Sequence, residues 1–411
     1  MRALARGTAV LGLVVASLAV ATPAHADPVR DLEYWLDDYG IREAWNTTRG
    51  AGVTIAVIDT GIDGTHPDLA GAVVGGSDFS GLGARNGQQP VGSTGSEHGT
   101  LVGSLAAGRG SAPDTGVIGA APEADLLSLS IGFGEGEIGS DDQIASAVRW
   151  AVDNGADVIN MSLTRNTRDW PESWDDAFLY AMDNDVVVVA AAGNRGTGTY
   201  VVGAPATMPG VLTVGGVTRD EQVSAEASSQ GITIGVSAPS EELVGALPGG
   251  GHAQWGGTSG ASPIVAGIVA LVRAAHPELD AANVINRITE TARDRGPSGQ
   301  DYSYGFGLVD AAAAVNDRVP EVDENPMGDL REWIRVNRRA PADDPTAAPT
   351  PLEPSAPPLI EARGPSGTLY PTPGQLRDVG IPLLVFVAFG GAFVVATARA
   401  VRAYGATRRR G

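Results

Sequence analysis

A near-continuous apolar run that ends in a carboxylate, Val53-Thr-Ile-Ala-Val-Ile-Asp59, constrains this chain more than any other stretch. A strand without polar alternation is buried on both faces, the condition of a parallel strand covered by helices on each side. A parallel neighbour can be reached only through a crossover, in most cases a helix. The sequence supplies that alternation. Helix-like residues 99–107 precede strand-like 126–130, helix-like 141–153 precede strand-like 158–162, and helix-like 174–184 precede strand-like 186–191. Strands over 211–217 and 232–238, an apolar helix after Ser259 and a helix over 281–293 complete the series. The expected fold class is α/β, three layers with a mostly parallel sheet between helices. In such folds ligands gather at the carboxyl ends of the strands, where Asp59 and the turn Ala192-Gly193-Asn194 both fall.

The two ends read differently from the body. Arg2 and Arg6 precede an apolar run over 8–21, and Ala24-His25-Ala26 offers small residues where a signal peptidase inspects the chain. Residues 1–26 therefore read as a signal peptide, cleaved before Asp27. Residues 379–398 are uncharged, and at about 1.5 Å per residue they reach about 30 Å, the thickness of the bilayer's hydrocarbon. The arginines at 399, 402 and 408–410 make 399–411 a basic tail that stays cytoplasmic. Residues 318–378, rich in Pro, Asp and Ala, with one helix-like stretch near 330–336, read as a Pro-rich linker or stalk. An N-terminal extension at 27–52 carries Leu32, Trp35, Leu36, Ile41 and Trp45, enough for one or two short helices on a body at 53–317. The expected product is a single-pass protein of the cell membrane with its body outside and its C-terminus in the cytoplasm. A net charge of −20 disfavours nucleic acid as a partner. With no cysteine, disulfides and thiolate metal sites are excluded.

Chemistry enters at Gly256-Gly-Thr-Ser-Gly-Ala-Ser-Pro-Ile-Val-Ala-Gly267, a glycine-lined turn running into an apolar helix. Pro263 stands close to the helix start, where its missing N–H costs little. Ser259 stands just ahead of that start, beside unpaired N–H groups and the positive end of the helix dipole. A serine nucleophile needs a base within hydrogen-bond reach and a carboxylate to fix the base's tautomer. Of five histidines, His25 leaves with the signal peptide, His276 lies late on a helix and His66 looks like a turn residue. His98, opening a helix among small residues, and His252, in a Gly-rich loop near Ser259, both remain open as the base. Asp59 is the natural orienter. Asn194, fixed by the strand before it, is a candidate oxyanion donor.

Val-Ile-Asp59-Thr-Gly-Ile-Asp, His98-Gly-Thr, Ala-Ala-Gly-Asn194 and Gly-Thr-Ser259-Gly-Ala-Ser-Pro, in this order, resemble the subtilisin-like serine proteases over about 27–317. The resemblance implies a three-layer subtilisin-like fold. Ser259 would be the nucleophile, His98 the base and Asp59 its orienter, with Asn194 and the Ser259 N–H forming the oxyanion hole. It further implies that Ser162, Leu163 and Thr164 line one side of an extended peptide substrate and Gly132 and Gly134 the other, with Ala192 and Gly193 beside Asn194. His252 would then have no catalytic role. Thr164, where the family often has glycine, and an insertion-like stretch over 165–174 would narrow the pocket for the residue before the cut. Gly260 stands where a bulkier residue usually follows the nucleophile.

Other motifs compete weakly. Gly134-Glu-Gly-Glu-Ile-Gly139 matches a dinucleotide fingerprint, but Glu135 and Glu137 would repel a pyrophosphate. Asp59-Thr-Gly61 and Asp114-Thr-Gly116 mimic the paired loops of an aspartic protease, which is a mostly β fold. Residues 108–117 occupy the loop where many relatives bind calcium. They hold one acid, Asp114, whereas calcium takes about six or more oxygens, so no cofactor is required and calcium at this loop stays open without support from the residues. Signal peptide, body, Pro-rich stalk, one span and basic tail together resemble the mycosins, membrane-anchored proteases of type VII secretion, although mycosins commonly carry paired cysteines. Two functional classes follow. One is an extracytoplasmic endopeptidase acting on protein or peptide substrates, and the other a structural or docking component of the secretion membrane complex.

Overall fold

Thr54–Asp59 is a strand (β1) whose residues alternate between two separate cores: Ile55 and Val57 face one, Ala56 and Ile58 the other. The same division runs through Val187–Ala191, where Val187 and Val189 oppose Val188 and Ala190. These strands carry no polar face because helices cover both sides. The architecture comes from a computed structural model describing residues 27–338. The expected signal peptide, the Pro-rich tract, the span at 379–398 and the basic tail lie outside the described residues.

Along the described chain, the N-terminal extension forms three single-turn helices: α1 (Pro28–Asp31), α2 (Trp35–Asp38) and α3 (Ile41–Ala44). After β1 come β2 (Val73–Asp78), α4 (His98–Ala107), β3 (Asp125–Ser130), α5 (Ser140–Asp153), β4 (Val158–Met161), α6 (Glu172–Asp183) and β5 (Val187–Ala191). Then β6 (Leu212–Val217), β7 (Ile234–Pro239), β8 (Leu243–Ala246), β9 (His252–Trp255) and α7 (Thr258–Ala275) follow. α8 (Ala281–Glu290), α9 (Ala311–Asn316) and α10 (Leu330–Asn337) close the series. Seven strands form one sheet in the order β2-β3-β1-β4-β5-β6-β7, each pair parallel. β8 and β9 pair separately as an antiparallel hairpin. β1 lies between β3 and β4, so the chain winds away from it in both directions and its carboxyl end is the switch point of the sheet. That end is Asp59.

α7 is long and apolar enough to cross a membrane, yet 78% of it is buried within the body. It begins earlier than the sequence suggests: Gly257 caps it, Ser259 is its second residue and Pro263 its sixth. Pro263 therefore stands beyond the free first turn, and the carbonyl of Ser259, four residues earlier, loses its helical donor. The Ser162 hydroxyl fills that gap, donating to the Ser259 carbonyl at 2.8 Å.

The extension is an integral part of the body. Trp35, Leu36 and Ile41 are fully buried in the α7 core, and the Trp45 indole donates to the Ala120 carbonyl at 2.8 Å. The linker expected from 318 is corrected by the structure for its first part. Asn283 pairs with Val322 in both directions at 2.8 and 3.1 Å, and the Gly210 N–H donates to the Met327 carbonyl at 2.9 Å. Leu330 is buried, Trp333 packs on Trp170 with ring centroids 4.3 Å apart, and Arg338 donates to Asp175 at 2.9 Å. Residues 318–338 are a strap on the body. Their anchors are too widely spaced among Pro and acidic residues to show as a periodic pattern. The strands β2, β8 and β9 also escape the sequence reading, because they are short, glycine-containing or partly exposed.

Candidate active site

The carboxylate of Asp59 is fully buried, and His98 Nδ1 lies 2.9 Å from both of its oxygens. One residue builds this contact from each side. Thr60 donates its N–H to Asp59 Oδ1 at 2.7 Å, while its hydroxyl accepts the Gly99 N–H at 2.8 Å and donates to the Ser96 carbonyl at 2.9 Å. The end of β1 is thus stitched to the start of α4, where His98 is the first residue. Burial lowers the His98 pKa, but the charge and hydrogen bond of Asp59, with the charge of Glu97, outweigh it, and the net shift is upward from 6.5. With Nδ1 held by Asp59, Nε2 is the nitrogen left to act as base.

Trp255 packs between the His98 ring and Gly260, the residue that follows Ser259. The edge of Trp255 meets the His98 ring at 5.7 Å between centroids, and its far corner lies about 3.5 Å from where a Gly260 side chain would begin. Space for such a side chain is already taken, since Leu243 Cδ1 lies 2.4 Å from a Cβ built there. The volume left by glycine after Ser259 is therefore filled by Leu243. The Ser259 hydroxyl donates to the Ser162 carbonyl at 3.2 Å, and its N–H belongs to the first helical turn, ahead of the intrahelical ladder.

Asn194 is oriented by Thr258. Its carboxamide oxygen accepts the Thr258 N–H at 2.8 Å and the Thr258 hydroxyl at 3.0 Å. This fixes which end of the amide is oxygen and leaves its NH2 as the donor. A Cβ on Gly257 would come within 2.8 Å of that nitrogen, and Gly257 also has φ +128°, so both space and backbone require glycine. Behind Asn194, Gly193 donates to the Thr258 hydroxyl at 3.0 Å, and Ala192 donates to the Val214 carbonyl at 3.0 Å. These two are buried scaffold.

The expected substrate flanks fare unevenly. Ser162 holds Ser259 from both sides, and Asn160 donates to the Ser162 hydroxyl at 3.0 Å while accepting from Ser262 at 2.6 Å. Leu163 is buried; Thr164 is half-buried, its hydroxyl donating to the Arg165 carbonyl at 3.0 Å. The insertion-like loop lies against 204, with Arg165 N–H on the Ala204 carbonyl at 2.7 Å. Gly132 and Gly134 have their amides engaged. Their N–H groups donate to Gln143 at 2.7 Å and Ser140 at 2.9 Å in the first turn of α5, so those two amides are not free to pair with a peptide. The exposed side chains of this loop, Phe133 and Ile138, are what it offers instead.

The remaining candidates separate cleanly. The His252 ring sits on Asp68, with Nε2 2.7 Å from Oδ2, so of the two open bases only His98 meets Asp59. Asp114 is an exposed turn residue, unlike the buried Asp59, and forms no carboxylate pair with it. The loop over 108–118 does not suit calcium. Three successive N–H groups, of Gly116, Val117 and Ile118, point at carboxylates of Asp27, Asp68 and Glu33 at 2.5, 2.8 and 2.7 Å. An ion would need oxygens there. Thr60, Thr258, Asn160 and Ser262 position the candidate groups, a task their residue types alone do not reveal. The only signal for Thr60 was the Asp-Thr-Gly triplet, which invited a different comparison.

The Peptidase_S8 subtilase family profile matches residues 50–307. Subtilisin E of Bacillus subtilis (strain 168) is 39% identical over 269 residues, covering 65% of this chain and 66% of subtilisin E, just under two thirds of its length. Among solved structures, MycP1 with its N-terminal propeptide removed shares 33% identity at a TM-score of 0.60, covering 70% of this chain and 98% of that one. MycP1 from the ESX-1 type VII secretion system shares 32% at a TM-score of 0.60, covering 72% of this chain and 88% of that one. With its sheet, its paired Asp59 and His98, and Ser259 in the first turn of a buried helix, the chain belongs to the subtilase family.

Proposed function

We propose that this chain is an extracytoplasmic serine endopeptidase, tethered to the membrane by residues 379–398, that processes exported proteins in a type VII secretion setting. The observation that carries the catalytic part is the contact of buried Asp59 with His98 Nδ1, which leaves His98 Nε2 to take a proton. Support for the setting comes from the leader and apolar segment in the sequence and from the likeness to MycP1 of the ESX-1 system.

The chemistry runs through these groups. Ser259 turns from its resting bond with the Ser162 carbonyl and gives its proton to His98 Nε2 as Oγ attacks the peptide carbonyl. The oxyanion is held by the Ser259 N–H and the Asn194 NH2, which is already oriented by Thr258. His98 returns the proton to the leaving amine, and water then repeats the sequence on the acyl-enzyme. Leu163, Thr164 and the 132–138 loop bound the cleft.

The test is labelling by a fluorophosphonate probe. The wild-type chain is expected to react and Ser259→Ala not to, with an unchanged circular dichroism spectrum; an unlabelled wild type would refute the enzyme. For the cellular role, Ser259→Ala is placed in a deletion strain at normal protein level. Loss of secretion supports a role for cleavage, whereas full secretion assigns the chain to the structural class.

A further inference from the structure

A second cluster of ionisable groups lies where the β8–β9 hairpin meets the turn that follows β1. His66, Asp68 and His252 each bring one ligand-capable atom, all within 4.8 Å of one another. His66 and Asp68 are 2% and 0% exposed at the side chain, and His252 is 27% exposed, so the cluster is closed behind and open at one ring.

The protonation pattern is that of ligands in waiting. His66 Nε2–H donates to the Gly251 carbonyl at 3.0 Å, which leaves Nδ1 with its lone pair turned inward, where it accepts the Asp68 N–H at 3.1 Å. A carbonyl bond on one imidazole nitrogen is how a metal-binding histidine has its tautomer and ring plane fixed. Asp68 Oδ2 accepts from His252 Nε2 and from the Val117 N–H, but Oδ1 is buried with no hydrogen-bond partner. A buried carboxylate with one oxygen lacking a donor carries negative charge that is only partly compensated, and a cation bound at this carboxylate would offset it.

We propose that His66 Nδ1, Asp68 and His252 Nε2 form a site for a divalent transition-metal ion of the zinc class. Two imidazoles and one carboxylate suit zinc, whereas calcium takes an all-oxygen shell. His66 Nδ1 stands 4.0 Å from Asp68 Oδ2, and His252 Nε2 stands 2.7 Å from it. Zinc bonds of about 2.0–2.2 Å in a tetrahedron place ligand atoms about 3.4 Å apart, so shifts of under about 1 Å suffice. The ion takes the place of the His252 proton and of the Asp68 N–H at the two nitrogens, and water fills the fourth position at the open side. Such an ion would clamp the segment following Asp59 to the hairpin that leads into Trp255 and Ser259, without touching the reacting atoms.

The experiment uses the untagged full chain in detergent, carrying Ser259→Ala against self-digestion and stripped with EDTA. Zinc and, separately, calcium are added, and metal retained after desalting is measured together with the melting temperature. The expected result is one zinc per chain with a raised Tm, no retained calcium, and binding weakened at least about tenfold by His252→Gln, the least that loss of a ligand should cost. His66 is buried and its replacement can fail to fold, so the more exposed His252 carries the comparison. Retention that survives His252→Gln, or that is lost with His98→Gln instead, would overturn the site. So would calcium in place of zinc, or no retained metal at all.

Discussion

Asp59 places both carboxylate oxygens 2.9 Å from one imidazole nitrogen, and this alters the chemistry of His98. The bare sequence suggests activity rising near the ordinary histidine pKa of about 6.5. In the folded protein burial lowers that value, but Asp59 raises it further, so the net shift is upward. Protonated His98 cannot act as base, so the acid limb of kcat/KM should lie above pH 6.5. The linked stability has the opposite sense. The imidazolium pair stabilises the fold below the unfolded pKa, and the contribution is lost as pH rises through the higher folded value. Asp59→Asn should move the acid limb downward and lower the rate at neutral pH by on the order of 10⁴, read from pH–rate profiles. A limb that stays in place would remove Asp59 as the cause. Thr258 acts at second hand, through Asn194. Thr258→Val keeps the shape but loses one of two bonds to the carboxamide oxygen, and also the Gly193 contact. A misplaced donor of this kind costs up to about 100-fold in kcat. Little change in KM is expected, and an equal rise in KM would mean that Thr258 shapes the cleft instead.

At the scale of elements, the entry into α7 decides whether Ser259 is presented at all. Pro263 withholds a helical N–H from the Ser259 carbonyl, and Ser162 on the end of β4 supplies a hydroxyl in its place. Helix and strand are thereby joined at the proposed nucleophile. Gly260 looks like a weakness in the sequence, because glycine within a helix costs about 1 kcal/mol relative to alanine. The structure shows the reason: Leu243 from β8 fills the volume. Gly260→Met should therefore overpack the site and cost about 1–3 kcal/mol. Leu243→Ala alone should cost about 2–5 kcal/mol by opening a cavity. Because the two side chains compete for one space, the double variant should be more stable than the sum of its parts by about 0.5–3 kcal/mol in denaturant melts. Additive losses would show that the two positions are independent. The helix could be located from apolar periodicity, but its first residue could not, since Leu243 and Ser162 are distant in sequence.

For the molecule as a whole, the N-terminal extension and the 318–338 strap enlarge the body beyond the segment that reads as catalytic. The extension is tied to the 108–118 loop through Glu33, whose carboxylate accepts the Ile118 N–H at 2.7 Å and pairs with Arg30 at 3.1 Å. Burial outweighs the lowering effects of Arg30, the Ile118 N–H and Arg42, and lifts the Glu33 pKa to about 8. Between pH 4.5 and about 8 the folded state therefore holds a proton that the unfolded chain has lost. Stability from this group falls as pH rises across that window. Glu33→Gln should flatten this part of the Tm–pH curve and leave the chain more stable than wild type at the alkaline end. An unchanged slope would show that another group sets it.

The sequence by itself determined the parallel sheet, because strands such as 53–59 and 186–191 have no polar face to turn to water. It also placed Asp59 at a strand end, His98 at a helix start and Ser259 at the start of a later, apolar helix. Residue types alone left His98 and His252 open and the family resemblance favoured His98; only tertiary structure shows which buried carboxylate each ring meets, Asp59 for one and Asp68 for the other. It alone decided that 318–338 belongs to the body, and that the Gly132 and Gly134 amides are occupied. Periodicity records which side of an element is buried. The partner that buries it, often a hundred residues away, is settled by packing.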